Sequence, residues 1–462
     1  MRDRNLKNAI TSEKASIKEA MRVIDRSGLR VAYVVDENGR LAGVVSDSEI
    51  RRAIISGRDV NSSVKNIVNN KPVILKEKDI TNIYTIRRKI RNLLQRMPDS
   101  RFILLVNDRG FPQKLLSCSK LLGQDRYFSG NIHESGKKIL VVGGAGYLGS
   151  ILVRKLIAEG FKVKVLDILM YGMQSIKELI GNKNFELIEG DMRNISTLVR
   201  VLNDVDAVVN LAAIVGDPAC KNKPEAAIET NYLANKALAE ACKYHQINRF
   251  IYSSSCSVYG FMEDDRLLDE KAPLNPISLY ARSKVQSEEG ILALEDENFS
   301  PIILRMATLY GYSPRMRFDL VVNTMTKTAV VDKKIFVHGT GMQWRPFIHV
   351  EDAAYAYLQC LRAPLNKVKG EVFNVGADNN NYKIIDIAKI VNKCVPEADF
   401  IVEDKISDLR NYFVSFSKLK KQLKYKAVQT LENSIFRIKQ AIEEGEIEDV
   451  NNSKYYNVEC AQ

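Results

Sequence analysis

Lys138-Ile139-Leu140-Val141-Val142-Gly143-Gly144-Ala145-Gly146-Tyr147-Leu148-Gly149 is the stretch that decides the fold of most of this chain. An unbroken apolar run, Ile139–Val142, enters a glycine-rich turn. The pattern then predicts a helix over Tyr147–Ala158 and a strand over Lys162–Leu166. Further short apolar strands are predicted at Phe185–Ile188, Ala207–Leu211 and Phe250–Ser253. Strands alternating with helices imply an α/β, doubly wound parallel sheet with both faces covered, the Rossmann arrangement. Gly143 and Gly146 let the turn tighten, so that backbone N–H groups at the positive end of the following helix approach a pyrophosphate. Gly149 lets that helix pack closely on the strand. Asp167 closes the second strand, about 20 residues downstream. A carboxylate there accepts a hydrogen bond from a ribose 2′-hydroxyl and repels a 2′-phosphate, which favours NAD over NADP.

With 462 residues the chain exceeds what one hydrophobic core holds, so two or three domains are expected. No apolar run approaches the ~20 residues of a membrane span. Met1–Lys14 lacks the apolar centre of a secretion signal, so the expected location is cytoplasmic. Seven scattered cysteines without a CxxC pair read as reduced thiols, and four separated histidines give no metal site. The net charge of +12 is uneven. Residues 1–136 hold 26 Lys+Arg against 15 Asp+Glu, whereas the remainder is close to neutral. No nucleic-acid motif accompanies that basic front. It reads as a solvated surface with room for a phosphate site, and nucleic acid is not an expected partner.

The front repeats itself. Ser16–Arg26 predicts an amphipathic helix with Ile17, Ala20, Met21 and Ile24 inward. Strand Val31–Val35, turn Asp36-Glu37-Asn38-Gly39, strand Leu41–Val45 and helix Asp47–Ser56 follow. Ser46 and Glu49 form a capping box on the last helix. A second pass reads helix Ile80–Arg96, strand Phe102–Val106, turn Asn107-Asp108-Arg109-Gly110, strand Lys114–Leu116 and a helix from Ser117. The stretch Arg40-Leu41-Ala42-Gly43-Val44-Val45-Ser46-Asp47-Ser48-Glu49-Ile50 resembles a CBS (Bateman) module, a small α+β unit found in pairs that bind adenine or guanine nucleotides. The resemblance implies that Gly43 lets the backbone approach the ligand, that Ser46 meets phosphate or ribose, and that Glu49 holds the ribose. The second copy departs from the pattern, with Lys114 at the glycine position and Lys120 at the acidic one. The expected organisation is a CBS-like pair over 1–125, a linker over 126–137, and one domain over 138–445 that carries a C-terminal substrate-binding part.

The larger part also carries a resemblance. The GxxGxxG run, Tyr252-Ser253-Ser254-Ser255-Cys256-Ser257-Val258-Tyr259-Gly260 and Tyr280-Ala281-Arg282-Ser283-Lys284 occur in the order of extended short-chain dehydrogenases/reductases that act on nucleotide sugars. Tyr280 and Lys284 lie one helical turn apart on one face. A free phenol titrates near 10, and a neighbouring ammonium favours its deprotonated form. The resemblance implies that Tyr280 moves the hydroxyl proton, Ser255 orients the reacting oxygen and Lys284 holds the nicotinamide ribose. Asp191 and Met192 would contact adenine, Leu211, Ala212 and Ala213 would lie under the cofactor, and Asn231 would stand on the next helix. Arg345, in Trp344-Arg345-Pro346-Phe347-Ile348-His349, and Arg410, in Asp408-Leu409-Arg410, would clamp the substrate diphosphate.

The two positions after Ser255 narrow the reaction. Relatives that eliminate water carry Asp-Glu there, and relatives that epimerise beside a ketone place a cysteine two positions on. Here Cys256 and Ser257 stand at those positions. Cys256 is placed on the substrate side of Ser255 as a packed residue, not as an acid–base group. The expectation is an NAD-dependent nucleotide-sugar epimerase working at a carbinol carbon, C4 by preference. An NAD(H)-dependent nucleotide-sugar dehydrogenase or ketoreductase and a non-catalytic nucleotide sensor remain as alternatives. A homodimer or tetramer is implied by the same resemblance.

Overall fold

The computed structural model describes residues 4–79, 86, 89, 90, 93, 102–118, 137–261, 266–403 and 410–457. The chain divides into Met1–Tyr127 and Phe128–Gln462. Among the described residues no helix is long and apolar enough to cross a membrane.

The front unit holds two three-stranded sheets built alike. In the first, β1 (Ile10–Ser12) pairs parallel with β2 (Val31–Val35), which pairs antiparallel with β3 (Leu41–Ser46). In the second, β4 (Leu75–Lys76) runs parallel to β5 (Phe102–Val106), which pairs antiparallel with β6 (Pro112–Ser117). Each antiparallel pair slips register at the end of its central strand, between Val34 and Val35 and between Leu105 and Val106. The internal repeat is therefore structural down to its bulge. Helix α1 (Ile17–Ser27) is capped by Ser16 and Glu19 in a reciprocal box and closed by Gly28 at φ 65°. Its inward stripe is Ile17, Ala20, Val23 and Ile24. Met21, expected inward, is 42% exposed, because Val23 completes the buried face in its place. The helix expected over Ile80–Arg96 falls almost wholly outside the described residues, as do the helix beyond Cys118, Lys120 and all of the linker except Lys137.

The second unit is built on a seven-stranded, wholly parallel sheet. Its strands are β7 (Lys138–Val142), β8 (Lys162–Asp167), β9 (Phe185–Glu189), β10 (Ala207–Asn210), β11 (Arg249–Ser255), β12 (Ser300–Met306) and β13 (Val372–Val375). Their spatial order is β13-β12-β11-β10-β7-β8-β9. The order reverses between β7 and β10, and a crevice opens at the carboxyl ends of the strands at such a point. Apolar residues fill both faces. Ile139 and Val141 join one core cluster, and Leu140 and Val142 join the other. Helix α2 (Tyr147–Ala158) follows β7 within the expected bounds. Beyond the large sheet, the strands Thr308–Tyr310, Trp344–His349 and Asn381–Lys383 form a smaller one that carries Arg345. The unit runs past the expected boundary at 445: Tyr455 packs against Phe318, and Asn457 reaches Arg315.

Candidate active site

At the switch point Gly143 adopts φ 83°, and a Cβ there would stand 2.9 Å from the Ala212 amide nitrogen. A Cβ on Gly149 would collide with the Gly143 carbonyl oxygen. These glycines are therefore demanded by backbone packed on backbone. Gly146 caps α2 without any side-chain hydrogen bond, so the amide donors of the first turn remain open toward a cavity of about 1250 Å³. Gly143, Gly146, Tyr147, Leu148 and Gly149 all line that cavity, and so do Asp167, Asp191, Met192, Leu211, Ala212 and Ala213. Asp167 Oδ2 accepts from the Ala145 amide and Oδ1 from the Leu169 amide, both at 2.9 Å. Burial raises the pKa of its carboxyl, and these two bonds oppose the shift. Asp191 is gripped by Arg193 at 2.7 and 2.9 Å, which holds its carboxyl below the usual range. An uncapped helix terminus, a cradle without side chains and a strand-end carboxylate fit a dinucleotide.

Asn231 stands on the helical stretch after β10, as expected, but not on the cavity wall. It sits in a π-turn, Glu229–Leu233, fully buried and off the cavity wall. Its Oδ1 accepts from the Ile214 amide at 2.8 Å and its Nδ2 donates to the Ile214 carbonyl at 2.9 Å. It fixes the loop after β10.

Ser255 ends β11, and its Oγ accepts from the Ser257 amide at 3.1 Å. The Tyr280 phenol and Ser255 both line the cavity, and the Ser255 hydroxyl acts to lower the phenol pKa. Tyr280 and Lys284 rise from helix α3 (Leu279–Leu292). The Lys284 Nζ donates to the Ser253 carbonyl at 2.8 Å and lies 4.8 Å from the Tyr252 ring centroid and 5.7 Å from that of Tyr280. Burial raises the pKa of the Tyr280 phenol; the charge of Arg317 and the Ser255 hydroxyl act against that, while Asp217 adds to it. Burial also pushes Lys284 down to about 8. The ammonium therefore braces the tyrosine from below and does not bond to its oxygen.

One consequence can be measured. The folded state holds Lys284 below the ordinary lysine value, so the unfolded chain binds the extra proton above pH 8 and stability rises with pH from there to about 10.5. Lys284→Met removes the buried charge and is expected to raise stability at pH 7 by roughly 1–3 kcal/mol, net of the lost hydrogen bond. In urea titrations across pH that advantage should shrink as the wild-type lysine neutralises. An advantage independent of pH would show that the charge is not the cause.

Cys256 corrects its expected place. It is buried in the core, its thiol donates to the Arg305 carbonyl at 3.3 Å, and it is absent from the cavity wall. Ser255 lines the cavity, and Cys256, which opens the 3-10 turn after β11, turns into the core.

The substrate half is basic. Arg345, almost fully buried, donates to the Trp344 carbonyl at 2.7 Å and to the Arg410 carbonyl, and it lies over the Tyr412 ring. Arg410 Nη1 pairs with Asp217 Oδ2 at 3.0 Å. Both arginines line the cavity; Asp408 and Leu409 lie outside the described residues. Sequence reasoning missed Arg315, Arg317 and Asp319, which join Asp217 of the loop after β10. Arg317 grips Asp319 at 3.0 and 2.7 Å, and all four residues line the cavity. The signal was legible as an Arg-x-Arg-x-Asp run just after Tyr310-Gly311.

The front-unit residues serve their own chain. A Cβ on Gly43 would strike the Asn69 carbonyl, whose oxygen accepts from the Val44 amide at 3.1 Å. The close approach at Gly43 is thus made by the 68–69 segment. Ser46 and Glu49 cap the helix Asp47–Ile55, with the Ser46 amide on Glu49 Oε2 at 2.7 Å.

Known proteins agree with this geometry. The model of the NAD dependent epimerase/dehydratase family matches residues 139–376, and a CBS domain model matches 7–56. The chain belongs to the NAD dependent epimerase/dehydratase family, is an enzyme of that family with NAD as cofactor, and carries a CBS domain in front. It is 29% identical over 311 residues to an uncharacterized UDP-glucose epimerase, YtcB, of Bacillus subtilis, covering 64% of this chain and 95% of that protein. It is 27% identical over 321 residues to a dTDP-glucose 4,6-dehydratase of Xanthomonas campestris, covering 64% and 90%. The structure of the UDP-glucuronic acid 4-epimerase of Bacillus cereus, in complex with UDP-glucuronic acid and NAD, superposes with a TM-score of 0.61 at 27% identity. That match covers 66% of this chain and 99% of that one.

Proposed function

We propose that the chain is a nucleotide-sugar 4-epimerase that removes a hydride from a sugar carbinol and returns it to the opposite face. The observation carrying this reading is the Ser255–Tyr280–Lys284 constellation beside carboxylates that are already paired. Asp217 is tied to Arg410 and Asp319 to Arg317, and the two positions after Ser255 hold a buried thiol and a serine. Loss of water needs a separate general acid and base, and this wall offers proton transfer through Tyr280. NAD, when bound, supplies the hydride acceptor. Ser255 orients the sugar hydroxyl, Tyr280 takes and returns its proton, and Lys284 supports the tyrosine and the nicotinamide ribose. Arg345 and Arg410 hold the diphosphate while the sugar turns. In the cofactor half, Asp167 takes the adenosine ribose and Asp191 and Met192 flank the base.

The test is incubation with UDP-glucose, UDP-galactose, UDP-glucuronic acid and dTDP-glucose in deuterated water, with mass spectrometry of the products. An epimer without solvent deuterium and without net NADH is expected. A product one water lighter, or NADH formed one-for-one, would overturn the reading.

The reading extends to assembly and control. A homodimer through helix α3 and its neighbour Ala234–Tyr244 suits the exposed Leu233 and Tyr244. An adenine or guanine nucleotide at the front unit rests on the CBS family match, and unchanged turnover with added ATP and GTP would remove it.

A further inference from the structure

The segment after Tyr310 and the C-terminal tail meet at the cofactor end of the cavity. Gly311–Arg317 is moored on the first turn of α2. Tyr147 Oη donates to the Gly311 carbonyl at 2.5 Å, Ser313 Oγ donates to the Tyr147 carbonyl at 2.7 Å, and the hydroxyls of Ser313 and Ser150 are 3.0 Å apart. This mooring carries Arg315 toward the open end of α2. The Arg315 side chain is almost fully buried, its guanidinium carbon lies 3.7 Å from the Tyr171 ring centroid, and Nη2 donates to Asn457 Oδ1 at 2.6 Å. Its charge reaches Asp167 and opposes the upward push of burial on that carboxyl. Tyr171 belongs to the loop leaving β8, where Leu169 holds φ 55° with its amide on Asp167. Asp167, Tyr171, Arg315 and Asn457 all line the cavity.

We infer that Arg315 is a cofactor-binding residue, its guanidinium facing the dinucleotide diphosphate together with the α2 amides, and that the C-terminal tail is a third component of the cofactor site. A guanidinium fixed by ring stacking and an amide gives up little freedom when an anion arrives. It adds a localised charge to the partial charge of the helix terminus. The tail is itself docked: the Phe318 amide donates to the Tyr455 carbonyl at 3.0 Å, and the Phe318 ring meets those of Tyr455 and Tyr456. Asn457 is thus delivered to Arg315 by packing.

The test is calorimetric titration of the full chain, freed of resident dinucleotide, with NAD, ADP-ribose and adenosine, for Arg315→Met, Arg315→Lys and Asn457→Ala. Loss of a charge-assisted contact should weaken NAD and ADP-ribose about tenfold or more in Arg315→Met and about threefold in Asn457→Ala. Adenosine, which has no diphosphate, should change by less than about twofold. Equal weakening of adenosine and NAD would make Arg315 a packing residue and overturn the inference. Unchanged NAD affinity would overturn it as well. If Arg315→Met does not fold, the ratio of NAD to adenosine affinities in Arg315→Lys and Asn457→Ala decides in the same way.

Discussion

Tyr280→Phe is expected to lower turnover about 10³-fold while leaving thermal stability and NAD binding close to wild type. The phenol oxygen is the group that can take a hydroxyl proton, and its removal leaves Ser255, which orients but is a far weaker base. The ring keeps its place between Ser255 and Lys284, so the buried packing survives. Burial raises the phenol, so the wild-type rate should climb with pH toward the alkaline side until Lys284, held near 8, gives up its proton. A steady-state pH profile with that ascending limb, lost in Tyr280→Phe, is the expected record. Retention of more than about a tenth of the activity would assign proton transfer to another group.

Glu288→Ala should cost about 3–5 kcal/mol of stability, the largest expected effect outside the chemistry. Glu288 and Arg305 form an ion pair at 2.7 Å with both side chains almost wholly buried. Ser254 also bonds this carboxylate, and Arg305 Nη1 reaches Tyr259 Oη at 3.0 Å. Removing one partner strands the other charge inside the fold, whereas Glu288→Met combined with Arg305→Leu should recover much of the loss. Urea denaturation of the three variants reads this directly. A single-variant cost below about 1 kcal/mol would mean that water reaches the site. Because Glu288 sits one turn after Lys284 on α3, the pair ties that helix to β12, and the Ser254 bond ties it to β11.

The parts of this architecture written in the sequence are those whose cause is local. A glycine run between strand and helix needs only its neighbours to be read, and so do the Tyr280–Lys284 spacing and the Ser46–Glu49 cap. Both antiparallel pairs of the front repeat were legible for the same reason. The pairings of Asp217 with Arg410 and of Arg315 with Asn457 were not, because each joins partners far apart along the chain. Arg410 meets Asp217, and the tail meets the segment after Tyr310. Asn231 was placed on the helix after the fourth strand because its position matches a family pattern. Its carboxamide satisfies both polar groups of Ile214, a partnership that no spacing rule reveals. Cys256 is packed as read but on the core side of the turn after β11, and Met21 was misplaced by a face that Val23 completes.

Two arginines of the cavity wall come with company: Arg317 holds Asp319 and Arg410 holds Asp217. Such a wall is no general trap for anions. A lone phosphate must break an existing ion pair to gain one, whereas a ligand bridging both halves of the site recovers the exchange through its other contacts. On the proposed reading, preference for long, divided ligands originates in the resting state, before any ligand is recognised.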